Sequence, residues 1–157
     1  MVLIEGLYYE DFIPDKTYHS SKRTITETDL INFTTQCGFF EPLFMDQVYV
    51  ETESPYKRRI APGALAFSFA EGLTLLTGIL NHTGMAFLGL ELAVLKPLFI
   101  GDTISVELEV IEKRETKKTN RGIITFLHRV INQTNEIIME YTVKRMIRRK
   151  AGNEKKI

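Results

Sequence analysis

One stretch constrains the fold more than any other: Ala61-Pro62-Gly63-Ala64-Leu65-Ala66-Phe67-Ser68-Phe69-Ala70-Glu71-Gly72-Leu73-Thr74-Leu75-Leu76-Thr77-Gly78-Ile79-Leu80. Pro62 stands where a helix accepts its first residue, because the missing N–H is not needed there and φ is already helical. Leu65, Phe69, Leu73, Leu76 and Leu80 follow at steps of four, four, three and four, which is one helical stripe. Ala66, Phe67, Ala70 and Leu75 make the opposite side almost as apolar. The spacing predicts a helix over about 62–79, roughly 27 Å long, apolar nearly all round and so buried on nearly all sides. Gly, Ser, Thr and Glu punctuate it, and it is too short for a membrane span. Such a helix in a chain of 157 residues needs something to wrap it.

The rest of the chain supplies strands. Residues 7–16 read as an irregular arm and Thr17–Arg23 as a short first strand. Thr26 is placed to cap a short amphipathic helix through Leu30, Ile31, Phe33 and Thr34, with Glu27 and Asp29 in its first turn and Gly38 at its end. A polar segment, Glu51 to Arg59, leads into the long helix. Beyond it, Met85 to Leu95 is an unbroken apolar run, the pattern of a strand buried on both faces. Ile104, Val106, Leu108 and Val110 alternate with polar residues, a half-buried strand, and Lys113 to Asn120 reads as a charged link. Ile123 to Ile131 and Ile137 onward are two more strands around the turn Asn132–Glu136. Helices segregated from a run of antiparallel strands define an α+β domain, a curled antiparallel sheet on one buried helix. Residues 1–147 make that single domain, and 148–157 read as a basic, disordered tail.

Charge and cysteine content narrow the function classes. Lys plus Arg and Asp plus Glu each number 20, so net charge gives no reason to expect nucleic acid or an anionic membrane. Cys37 is the sole cysteine and reads as a small packed residue; with no internal disulfide possible, a reducing compartment fits. No signal peptide is expected from Met1-Val2-Leu3-Ile4-Glu5-Gly6, and the cytoplasm is the default. His19, His82 and His128 share no ligand spacing, so no metal is expected.

The order of elements resembles the hot-dog fold, and three stretches resemble its MaoC-like, (R)-specific enoyl-CoA hydratase branch. Thr24-Ile25-Thr26-Glu27-Thr28-Asp29-Leu30-Ile31-Asn32-Phe33 is similar to that family's first helix. Ile60-Ala61-Pro62-Gly63 is similar to its helix-opening motif, and Leu95-Lys96-Pro97-Leu98-Phe99-Ile100-Gly101-Asp102-Thr103 to its strand-turn-strand signature, followed by Glu109-Val110 and Asn132-Gln133. The likeness covers about residues 9–146. It implies an acyl-CoA or acyl-carrier-protein thioester as ligand and no further cofactor. It also implies a homodimer or higher oligomer with sites at the interface, and Ala61, Pro62, Gly63, Phe39, Phe44 and Pro42 around the thioester.

The departures carry the chemistry. The family's catalytic motif, Gly-Asp-x-Asn-Pro-x-His-x-Asp, stands here as Gly38-Phe39-Phe40-Glu41-Pro42-Leu43-Phe44-Met45-Asp46. Phe39 and Phe44 occupy the aspartate and histidine positions, Glu41 the asparagine position, and Pro62 the position of the histidine before the helix glycine. Adding water across an α,β-unsaturated thioester needs a base for the water and an acid for the α-carbon, and phenylalanine titrates as neither. The amide of Gly63 at the helix N-terminus is independent of those changes and remains available for the thioester oxygen. The two phenylalanines either pack as an apolar plug or line an acyl tunnel. Glu41 is a candidate displaced acid/base. Glu71, eight residues beyond Gly63 and so a rise of roughly 12 Å, is the other, and one thioester carbonyl cannot touch both within a subunit. Three readings follow: a thioester-binding MaoC-like protein weak or inactive as a hydratase alone; a non-catalytic subunit paired with a dyad-bearing relative; and a thioesterase using Glu71.

Overall fold

The computed structural model describes residues 5–151; the first four residues, read above for a leader, and residues 152–157 of the basic tail lie outside the described residues. Two short strands, β1 (Thr17–His19) and β2 (Arg23–Thr24), take the place of the single predicted strand. Both pair antiparallel with one long strand further on, β1 against Glu107–Glu109 and β2 against Thr103–Ile104, and Ser20 bonds that same strand between them. Helix α1 (Glu27–Cys37) begins as its sequence demands. The Thr26 hydroxyl accepts the Asp29 N–H at 3.2 Å while the Asp29 carboxylate accepts the Thr26 N–H at 2.8 Å, a reciprocal capping box. It ends at Gly38, whose φ of 75° is the left-handed conformation that closes a helix. Cys37, expected to be packed, is exposed, because it falls on the solvent side of the last turn. Two short helices, α2 (Pro42–Met45) and α3 (Gln47–Thr52), follow, for which no element was expected.

The long helix, α4, runs Gly63–Leu76 rather than 62–79. Pro62 is its N-cap rather than its first residue: ψ of 142° keeps it extended while its carbonyl accepts the N–H groups of Leu65 and Ala66. At the far end the Thr77 hydroxyl turns back on the Thr74 carbonyl at 2.6 Å and Gly78 leaves at φ 76°, so the chain exits before Ile79. Leu65, Ala66, Ala70, Leu73 and Thr74 are buried, but Ala64, Ser68, Gly72, Leu75 and Leu76 are exposed. The expectation of burial on nearly all sides is therefore corrected. Within one chain the sheet covers one face of α4, and the opposite stripe is open.

The sheet is antiparallel, ordered β1-β4-β5-β6-β3, with β3 Gly84–Val94, β4 Thr103–Glu115, β5 Arg121–Ile131 and β6 Ile137–Arg148. Its inner face meets α4: Ile104, Val106, Leu108, Phe126, Val130 and Val143 join Leu65, Ala70 and Leu73 in one core. β4 continues to Glu115, so the first three residues of the predicted charged link are strand, paired with Gly122, Ile123 and Ile124. The strongest correction falls on β3. Its run was read as buried on both faces, yet it is exposed nearly throughout, since it is the outermost strand and among the described residues pairs with β6 alone. The strand-turn-strand signature has a local cause as well. Asp102, buried, accepts from the Phe99 N–H at 2.9 Å and the Gln133 amide at 2.8 Å, while Gln133 accepts from the Thr103 N–H at 2.9 Å, so two distant motifs lock one corner. At the C-terminal end Arg148 closes β6, Arg149 bonds Glu10 at 2.8 Å and Lys150 pairs with Asp11, so the first residues of the expected tail are fastened to the N-terminal arm.

Candidate functional site

The chain entering α4 is held flat against the strand corner: Ala61 N–H donates to Leu98 at 2.8 Å and Ile100 N–H to Arg59 at 3.1 Å, with Ile60 bridged to Phe99. Arg59 ties this crossing to the first part of the chain through Glu27 and the Phe44 carbonyl. Between them lies a cavity of about 290 Å³, which brings together Ala61, Pro62, Gly63 and Phe44 with Val94 and Lys96. The N–H groups of Gly63 and Ala64 have no acceptor among the described residues, as the first turn of a helix requires, and the helix dipole adds positive potential there. A Cβ on Gly63 would stand 3.3 Å from the Val94 side chain, so glycine keeps the approach to this amide open.

Two of the six expected binding residues stay outside that lining. Phe39 stacks between Phe33 and Phe44, ring centroids 5.4 and 6.2 Å apart, and Pro42 opens α2. Both phenylalanines are half-buried, and of the pair Phe44 alone lines the cavity. Glu41 is exposed at the N-cap of α2 and makes no side-chain cap bond. The titratable side chains on the lining are Tyr56 and Lys96; neither a carboxylate nor an imidazole is among them. Lys96 lay inside a stretch read as turn signature, and Tyr56 inside a polar segment, so neither stood out as a site residue in the sequence.

Glu71 lies elsewhere, in a polar cluster between α4 and the sheet. It is paired with Arg145 and accepts the Tyr141 hydroxyl at 2.9 Å. The Tyr141 oxygen in turn lies 2.7 Å from Nδ1 of His128, which is fully buried. Because Tyr141 donates to Glu71, it must accept from His128, which puts the imidazole proton on Nδ1. Nε2 is then a buried acceptor without a partner among the described residues. Burial, with the Arg145 charge beside it, pushes the His128 pKa down to about 3, so the ring is neutral. Burial and the Glu71 carboxylate push the Tyr141 phenol far up, which keeps it a donor. Every oxygen of Glu71 is thus engaged by its own chain, and the thioesterase reading gains nothing from this geometry. Among the described residues no group of three or more His, Cys, Asp or Glu is placed to hold a metal, and no helix is long and apolar enough to cross a membrane.

A curled antiparallel sheet wrapped on one long helix, with a cavity at the helix N-terminus, defines a hot-dog protein. The chain belongs to the MaoC-like domain family, whose model matches residues 11–132. It is 28% identical over 94% of its length to a β-methylmalyl-CoA dehydratase of Chloroflexus aurantiacus, covering 42% of that protein. It is 34% identical over 60% of its length to an (R)-specific enoyl-CoA hydratase of Aeromonas caviae, covering 65% of that protein. The X-ray structure of a monoamine oxidase regulatory protein from Archaeoglobus fulgius matches with a TM-score of 0.86 at 28% identity, covering 96% of this chain and 99% of that one. The chain spans between 33% and 65% of the length of the curated relatives it matches.

Proposed function

We propose that this MaoC-like chain binds acyl thioesters at the N-terminus of α4 and, alone, hydrates them weakly or not at all. One observation carries the reading: the Gly63 amide opens onto an apolar cavity whose lining holds no carboxylate and no imidazole. Such a site offers a hydrogen bond and a dipole to a thioester oxygen, which favours developing enolate charge. It offers no carboxylate or imidazole to activate water. A missing acid/base group commonly lowers rate by about 10² to 10⁴. The names of the relatives, a CoA-thioester dehydratase and an enoyl-CoA hydratase, support the ligand class.

The expected result is that crotonyl-CoA binds without measurable hydration and that Gly63→Pro, which removes the amide donor, weakens binding about tenfold. Calorimetry and the loss of enoyl absorbance measure the two. Turnover on the order of 1 to 10³ per second would overturn the reading. The exposed apolar edge of β3 favours an oligomer, either a second copy or a dyad-bearing relative that supplies the missing chemistry. No cofactor beyond the thioester's own carrier enters this reading, and the single cysteine keeps the reducing cytoplasm as its setting.

A further inference from the structure

Arg58 has no role in the site described so far. It is exposed, five residues before Gly63, and has no carboxylate partner among the described residues. It is nevertheless placed rather than loose. Lys57 before it is held at φ 56°, a left-handed conformation unusual for a lysine, and the strand-like crossing of Ile60 on Phe99 follows it. Its guanidinium lies over the Phe99 ring, 4.3 Å from the centroid, a contact that uses the cation's face and none of its N–H donors. It borders a second cavity, of about 260 Å³, which shares Lys96 and Pro97 with the thioester cavity. Two acids border that second cavity, and both are engaged: Asp102 by Gln133 and the Phe99 N–H, Glu136 by Lys96. Of the two cations on this lining, Lys96 is paired with Glu136, and Arg58 has no hydrogen-bond or ion-pair partner among the described residues.

We propose that Arg58, seated on Phe99, binds a phosphate of the nucleotide end of a coenzyme A thioester whose acyl end occupies the cavity at Gly63. This rests on the thioester reading above and adds the carrier. Five residues span at most about 17 Å, a separation that a pantetheine arm bridges, and the two cavities adjoin along the line it would follow. A planar guanidinium matches two phosphate oxygens at once, and stacking on Phe99 lowers the entropy lost when it does so.

The test compares butyryl-CoA with S-butyrylpantetheine, two saturated ligands that differ in the nucleotide and its phosphates, by calorimetry on wild type, Arg58→Ala and Arg58→Lys at low salt. Butyryl-CoA is expected to bind wild type about tenfold tighter than the pantetheine ester. Arg58→Ala should abolish that margin and leave pantetheine binding unchanged, and Arg58→Lys should retain part of it. Raising the salt should shrink the margin in wild type and not in Arg58→Ala. Equal butyryl-CoA affinity in wild type and Arg58→Ala, or an equal loss for both ligands, overturns the phosphate role while leaving the thioester reading standing. Wild type that binds neither ligand overturns both. A butyryl carrier protein that binds more tightly than butyryl-CoA, and does so through Arg58, overturns the assignment to the nucleotide.

Discussion

His128 shows how a residue without a role in the sequence reading can serve the fold. Its Nδ1 proton ends a chain of hydrogen bonds that runs through Tyr141 to Glu71 and is closed by Arg145. The neutral ring is what the fold selects, with a pKa of about 3 against about 6.5 in an unfolded chain. Above pH 6.5 both states are neutral and His128 adds no pH dependence. As pH falls below that, the unfolded chain takes up a proton that the folded one refuses, so stability is lost progressively down to about pH 3. The slope from this one group is at most about 1.4 kcal/mol per pH unit. Denaturant unfolding of wild type and His128→Gln between pH 7.5 and 4.5, at one protein concentration, should show wild type losing more stability on acidification. A stability difference between the two that is constant with pH would mean that the folded protein protonates the ring.

At the scale of elements, α1 was legible because its signals are local. Thr26, Asp29 and Gly38 each act within a few residues, and the cap, the first-turn carboxylates and the left-handed stop all appear where the sequence puts them. Thr26→Ala removes one half of the capping box and frees the Asp29 N–H, and should cost about 1 kcal/mol in denaturant unfolding. An unchanged midpoint and slope would show that Arg23, bonded to Asp29 at 2.8 Å, holds the helix start without the cap. The limits of α4 and the exposure of β3 were illegible for the opposite reason. An apolar run states that a surface needs covering and is silent on what covers it, and β3 has β6 on one side and, among the described residues, no strand on the other. The same division runs through the site. Ala61, Pro62 and Gly63 were readable from a contiguous motif, whereas Tyr56, Val94 and Lys96 join them only through the crossing of two segments distant in sequence.

For the molecule as a whole, the open side of β3 is the feature that the single chain leaves unresolved. Phe87, Leu88, Leu90, Leu92 and Val94 are each at least 38% exposed along one strand, and Leu75 of α4, 55% exposed, lines one hollow with Phe87. That is an apolar strand whose outer backbone donors and acceptors have no strand partner among the described residues, a combination that chains in water seldom leave uncovered. Antiparallel pairing of β3 with the β3 of a second copy would satisfy both at once, and a two-fold axis through the strand lets the same residues serve both sides. Glu91 is the one charge in the strand, too little to protect the edge of an isolated chain. The protein is therefore expected to sediment as a dimer at micromolar concentration. Leu90→Lys with Leu92→Lys places two charges on one face of the edge and should shift it to monomer by at least tenfold in dissociation constant. Because Val94, at the end of this same strand, also lines the cavity at Gly63, the double variant should lose in parallel the thioester affinity proposed for that cavity. A wild-type chain that remains monomeric at that concentration would remove the homodimer. A wild-type monomer that forms a stable one-to-one complex with a dyad-bearing relative from its native source would instead assign this edge to the heteromer.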